Sequence, residues 1–92
     1  MYKLEKVLAL TVGTTAETVN VGCKAFLIAN NSAEASVYFK EKAADNTAAT
    51  SSNGFLVPAG KTTGEPMIAE SLSIVADASD TDVRILILDQ YG

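Results

Sequence analysis

Residues 72–89 read LSIVADASDTDVRILILD, and this stretch decides the fold of the chain. Two apolar runs rich in β-branched residues flank a short segment, 77–82, of small and acidic residues. β-branched residues favour strands and the polar segment is typical of a turn, so the pattern predicts an antiparallel hairpin. The second run, 83–88, is interrupted only by Arg84. It therefore carries apolar side chains on both faces, and both faces should be covered.

The rest of the chain also favours strands. Residues 2–12 fit either a strand or a short helix, and we favour the strand. Elsewhere, short apolar or alternating runs are separated by turn residues, and no convincing amphipathic helix is found. Seven or eight short strands predict an all-β fold, a small antiparallel β-sandwich or a packed β-barrel. The predicted strands are 2–12, 18–21, 24–29, 35–40, 55–57, 65–70, 71–76 and 83–88.

The length of 92 residues suits one domain, 1–92, and not two. Within it, residues 1–12 are predicted to be an edge strand or an N-terminal arm. Residues 41–54, EKAADNTAATSSNG, contain nothing that requires burial, so we expect a flexible surface loop there.

Charge and hydropathy exclude several classes of partner. The net charge is −4 and the basic residues are scattered, which argues against nucleic acid. No apolar run approaches the length of a membrane span, and residues 1–10 lack the continuous apolar core of a signal peptide. We therefore expect a protein that is made and kept in the cytoplasm, or assembled into a particle there.

Catalytic and metal-binding chemistry finds little support in the sequence. There is no histidine and one cysteine, Cys23, which is expected to be a small buried or half-buried core residue. Asp77, Asp80 and Asp82 are the best metal candidates, but they lack the spacing of a calcium loop, so we interpret them as a solvated turn. No pair of carboxylates and no phosphate loop stands out. We predict no enzyme activity, no metal and no cofactor.

The sequence has more apolar strand residues than the core of one sandwich needs, which indicates assembly with another molecule. If Leu27, Ile85 and Ile87 point inward, four residues of the same strands must point outward, where they would form an exposed patch. The candidate assembly interface is Phe26, Ile28, Leu86 and Leu88. Tyr38, on the polar face of its strand beside Lys40, is a candidate for surface binding, although cross-strand packing would also explain it.

Four segments together resemble the small virion proteins of tailed bacteriophages and prophages. They are TAETVNV (15–21), FLIANNSAEASVYFK (26–40), NGFLVPAGKTTGEPM (53–67) and the closing residues 72–89. The resemblance implies a β-sandwich component of the head or its accessories, such as a decoration, head-fibre or tail-associated protein. It carries no residue-level functional site.

Two functions are therefore expected as alternatives. The first is a non-enzymatic virion protein, made in the bacterial host cytoplasm, that forms a homo-oligomer (a trimer is favoured) or docks on the major capsid or tail protein. The second is a small carbohydrate- or surface-binding module that uses Tyr38 and the 77–82 loop.

Overall fold

The computed structural model describes residues 2–42 and 47–90 of the chain. In these residues, two four-stranded antiparallel sheets pack face to face, which confirms the all-β fold as a sandwich. The strands are β1 (Tyr2–Val12), β2 (Glu17–Asn20), β3 (Ala25–Asn30), β4 (Val37–Glu41), β5 (Phe55–Val57), β6 (Met67–Ile68), β7 (Ser71–Ala76) and β8 (Thr81–Gln90).

The hairpin predicted for the last fifth of the chain is wrong. The first sheet has the strand order β1-β8-β3-β6 and the second has β2-β7-β4-β5, so β7 and β8 belong to different sheets. The acidic turn between them carries the chain across the sandwich. Each of the two strands lies between two neighbours in its own sheet. Its inner side chains face the opposite sheet, and its outer side chains are flanked by those of the neighbouring strands, which explains why both runs are apolar.

β1 is an edge strand of the first sheet. Residues 1–12 were predicted to be either an edge strand or an N-terminal arm, and for the described residues 2–12 the edge strand is correct. It pairs with β8 from Tyr2, opposite Gln90, to Val12, opposite Thr81. The register shifts between Leu4 and Lys6, which marks a β-bulge. Pairing over this length excludes both the helix and a detached arm.

The core lies between the sheets and is built by alternate residues of the inner strands. Phe26 of β3 and Phe39 of β4 meet edge to face, with their ring centroids 6.4 Å apart and an interplanar angle of 80°. The core side chains of the inner strands include Phe26, Ile28, Val37, Phe39, Leu72, Ile74, Val83, Ile85 and Ile87.

The prediction that Phe26 and Ile28 point outward is therefore wrong. β3 pairs with β8 so that Phe26 lies opposite Ile87 and Ile28 opposite Ile85. Directly paired residues share a face of the sheet, so the inward side chains of β8 bring these two inward as well. Leu27 takes the outward place, opposite Leu86.

The segment 41–54 packs more closely than expected. Ala49 is buried, and its backbone N–H donates to the Ser73 hydroxyl of β7 at 2.8 Å. The expectation that nothing here is buried is thus wrong at Ala49. Residues 43–46 of the predicted loop lie outside the described residues.

Cys23 is a second correction to the predicted core. It is exposed, in the turn between β2 and β3, and its φ of 61° follows a φ of 66° at Gly22. Two successive left-handed residues reverse the chain tightly there, which turns the Cys23 side chain away from the core.

Candidate assembly surface

The outer face of the first sheet is the side that points away from the core, and apolar residues run across it in rows. In the first row, Leu4 of β1 lies opposite Leu88 of β8, which lies opposite Ala25 of β3, which lies opposite Ile68 of β6. In the second row Val7, Leu86 and Leu27 lie side by side. We call these two rows the apolar face.

Much of the apolar face is accessible to solvent. The exposed fraction is 55% for Leu4, 46% for Val7 and 67% for Ile68. These residues lie on the two outermost strands, β1 and β6, with more shielded leucines between them. An apolar surface of this kind on a small protein marks a site of contact with another molecule more often than chance exposure does.

Of the four predicted interface residues, the structure places Leu86 and Leu88 on this face. Leu86 is half-buried and Leu88 is only 8% exposed, because its neighbours in the row enclose it. Leu88 lines a shallow depression of about 150 Å³ together with Tyr2 and Ile68. That these leucines take part in assembly remains a prediction.

The residues that sequence reasoning missed are Leu4, Val7, Leu27 and Ile68. Leu4 and Val7 are three positions apart, so strict alternation would place them on opposite faces of a strand. The bulge between Leu4 and Lys6 restores them to the same face. A bulge leaves no clear mark in a sequence of this kind, and only the apolar character of each residue was visible.

Two ion pairs lie near the apolar face. Arg84 donates from Nε to Asp82 Oδ1 at 3.1 Å, and Asn31 Nδ2 donates to Asp82 Oδ2 at 2.9 Å. These hydrogen bonds lower the pKa of the Asp82 carboxyl, and the bond from Arg84 has a larger effect than the bond from Asn31. Glu5, at the bulge, forms an ion pair with Lys24 and thereby raises the pKa of the Lys24 ammonium. Paired rim charges leave the apolar rows as the dominant feature of this side of the sheet.

The three metal candidates, Asp77 and Asp80 of the β7–β8 turn and Asp82 of β8, do not form a metal site. Asp77 Oδ1 accepts from the Ser36 backbone N–H at 2.9 Å, while Asp82 is engaged with Asn31 and Arg84. The described residues contain no group of three His, Cys, Asp or Glu that is placed to hold a metal ion. The carboxylates of Asp77 and Asp82 instead anchor the two ends of the crossing to the β3–β4 segment.

Tyr38 lies on the opposite side of the molecule, on the outer face of the second sheet. It is half-buried between Val75 of β7 and Leu56 of β5, which makes it part of a cross-strand row. It also lines a groove of about 300 Å³ together with Asp77, so the structure brings these two predicted surface-binding elements together. The remaining lining residues are mostly small or hydroxyl-bearing: Thr14, Ala16, Ala49, Thr50, Ser51, Val75 and Ala76.

The described part of the chain has no helix that is long and apolar enough to cross a membrane. Comparison with known proteins gives no relative for the chain or for either candidate surface. No protein family, no curated protein and no solved structure matches this chain.

Proposed function

We propose that this chain is a non-enzymatic structural protein of a tailed-phage or prophage particle, a decoration or accessory component that self-associates and docks on a larger assembly. The observation that carries the proposal is the apolar face of the first sheet. Leu4, Val7 and Ile68 are each about half exposed or more, around a floor of leucines. Keeping such a surface in water is unfavourable, and contact with a partner relieves it.

The dimensions of the sandwich suit a docking role. The molecule measures 39 × 30 × 18 Å, so its broad faces are large compared with its thickness. A standard protein–protein interface takes about 800 Å² from each partner, and one broad face of this sandwich can supply such an area. Its composition, an apolar centre with paired charges at the rim, is the usual anatomy of an interface.

Placement in a virion draws its support from the sequence. The resemblance to small phage structural proteins spans residues 15–89 and thus all strands except β1. β1 supplies Leu4 and Val7, so the part of the chain outside the resemblance also contributes to the proposed docking surface.

Particle composition tests this proposal. Particles purified from induced cultures of the source bacterium should contain the chain at the level of a structural protein, as measured by mass spectrometry. The double variant Leu4→Lys/Ile68→Lys should lower its content at least about tenfold, because two charges would be buried in the contact. The matched control is Leu56→Lys, on the second sheet and 47% exposed, which should remain in the particle.

Two outcomes would contradict the proposal. One is the absence of the chain from particles that contain the other structural proteins. The other is equal incorporation of the Leu4→Lys/Ile68→Lys variant and the wild type, which would show that the apolar face makes no contact.

A second candidate function, carbohydrate or surface binding, is favoured by the groove that Tyr38 and Asp77 share. An aromatic ring beside a carboxylate and hydroxyls can stack on a sugar ring and bind its hydroxyl groups. Glycan-array binding by the wild type, lost in Tyr38→Ala and kept in Leu4→Lys/Ile68→Lys, would support this function over the first.

A further inference from the structure

The free edge of β1 differs from every other sheet edge in the described residues. The four terminal strands are β1, β6, β2 and β5. β1 has 11 residues, whereas β2 has four, β5 three and β6 two. A long edge strand presents a row of backbone N–H and C=O groups that can pair with another strand, and natural proteins usually shorten or block such edges.

Blocking devices are present beside β5 and β6 and in only half of β1, and β2 is short. Pro58 directly follows β5, and Pro66 directly precedes β6. In β1, the bulge and the charges of Lys3, Glu5 and Lys6 lie in the first half. The second half, residues 7–12, reads VLALTV and contains no charge, proline or glycine. It is therefore an unprotected strand edge with high β-propensity.

The same half of β1 is accessible. Val7, Ala9 and Thr11 are exposed on the outer face, and Leu8 and Leu10 are only partly buried although they pack against the core. A neighbouring strand would cover both leucines as well as the edge. The segment thus lacks a partner on the side away from β8 in the part of the chain that the structure describes.

We infer that residues 7–11 of β1 pair with the same residues of a second copy, antiparallel and around a two-fold axis at Ala9. Directly opposite residues must share a face, so a symmetric pair can be centred only on a residue. Centring on Ala9 sets Leu8 opposite Leu10 on the inner face and Val7 opposite Thr11 on the outer face. Leucine then meets leucine on the inner face, Val7 meets the β-branched Thr11 on the outer face, and the smallest side chain lies on the axis.

Neighbouring registers are less favourable. Centring on Leu8 sets Lys6 opposite Leu10 and draws the bulge into the pairing. Centring on Leu10 sets Val7 opposite Gly13, which has no side chain to cover it. The Ala9 register leaves Lys3, Glu5 and the bulge outside the five paired residues, so no like charges face each other.

A second copy is the occupant because the segment is its own complement under two-fold symmetry. The two first sheets would join into one sheet with four strands from each copy. Their apolar faces would become continuous, which doubles the surface available for docking. The pairing deepens the self-association of the proposed function, but it concerns the purified chain and holds or fails without any particle.

Disulfide trapping tests the register. In a Cys23→Ser background, Ala9→Cys should be driven to a covalent dimer by mild oxidation, because directly opposite Cβ atoms lie about 4.5–5.5 Å apart, close to disulfide geometry. The matched control is Thr11→Cys on the same exposed face of the same strand. In this register its symmetry mate lies about four residues away along the strands, roughly 13 Å, so it should stay monomeric on a denaturing gel.

Light scattering tests the pairing without a cross-link. The wild type should have twice the chain mass of 9.6 kDa. Ala9→Lys should be monomeric, since it places two like charges at the axis, while Ala33→Lys, in an exposed loop between β3 and β4, should remain a dimer. Circular dichroism checks that both variants fold.

A monomeric wild type at its highest soluble concentration would overturn the inference, and so would trapping of Thr11→Cys in place of Ala9→Cys. A trimer, the state that the sequence favours, would also overturn it while leaving the proposed virion function intact. Conversely, a two-fold dimer that is absent from particles would leave the pairing intact and contradict the virion function.

Discussion

At the scale of single residues, Asn30 joins the two sheets through its buried side chain. Its Nδ2 donates to the Val57 carbonyl of β5 at 2.9 Å and to the Ala35 carbonyl at 2.8 Å, while its Oδ1 accepts from the Ser32 hydroxyl at 2.7 Å. Asn30 belongs to the first sheet and Val57 to the second, so one amide ties both sheets at the end of the sandwich. The sequence suggested only a turn residue here.

Replacement of Asn30 by alanine should therefore be costly. Asn30→Ala leaves the Val57 carbonyl without this donor in a buried setting and removes one of two donors to the Ala35 carbonyl, so we expect a loss of at least about 2 kcal/mol in the free energy of unfolding. Urea denaturation measures it. Asn31→Ala, which removes an exposed amide at the next position, is the control and should cost less than about 1 kcal/mol. Equal losses would show that the Asn30 amide does not join the sheets.

Gly54 is the second residue whose identity the packing dictates. A Cβ at this position would lie 2.8 Å from the Tyr38 Cβ and 3.0 Å from the Thr50 carbonyl oxygen, neither of which can move without shifting the backbone. Gly54→Ala should destabilise the protein by about 1–3 kcal/mol. Gly64→Ala, where a Cβ meets nothing within 4 Å, should change thermal stability little. A neutral Gly54→Ala would mean that the 47–54 segment can lift from the sheet.

At the scale of the strands, neighbouring residues of β3 should respond oppositely to truncation. Ile28 is fully buried in the core, whereas Leu27 is half-buried on the apolar face. Ile28→Ala should cost about 2–5 kcal/mol, and Leu27→Ala less than half as much, because only the first leaves a cavity between the sheets. Denaturant unfolding of the two variants checks which side chains of β3 face the core and which face outward. A larger loss at Leu27 would mean that its inward and outward faces are exchanged.

Strand existence could be predicted from the sequence, but strand pairing could not. Apolar and β-branched runs between turn signals mark where strands lie, which is why all eight strands could be predicted. Their bounds are less certain from sequence, since β8 begins at Thr81, inside the predicted turn, and β6 has only two residues. The run 25–29 is apolar at every position. It has no alternation of apolar and polar residues that would show which side chains face the core. Pairing with β8 determines the orientation of β3. Ile28 lies opposite Ile85 and Phe26 opposite Ile87, so both face the core as their partners do.

The candidate site depends on the same long-range choices. β7 and β8 are adjacent in sequence and have turn chemistry between them, yet each pairs only with strands that are distant in sequence. Local pattern alone therefore suggested a hairpin. The apolar face also needs the bulge of β1 to align Leu4 with Val7, and β6 to add Ile68 at the far side. The sequence located Leu86 and Leu88 at its centre and missed its exposed margins.

At the scale of the whole molecule, the described residues 2–42 and 47–90 form a sandwich whose long open edge and apolar face both lie on the first sheet. β1 contributes to each, through its backbone to the edge and through Leu4 and Val7 to the face. Pairing of two copies at the edge therefore does not compete with docking through the face. Under the proposed function and the inferred pairing, one strand would serve both self-association and attachment to a larger assembly.

Stability should consequently depend on the concentration of the chain. Because two-fold pairing favours the folded state by mass action, the urea midpoint of the wild type should rise as protein concentration is raised over about a hundredfold range. The midpoint of Ala9→Lys should stay constant, since its like charges meet at the axis and prevent the pairing. Ala33→Lys should follow the wild type. A wild-type midpoint that does not move with concentration would show that the chain folds and unfolds as a monomer, with the β1 edge left open.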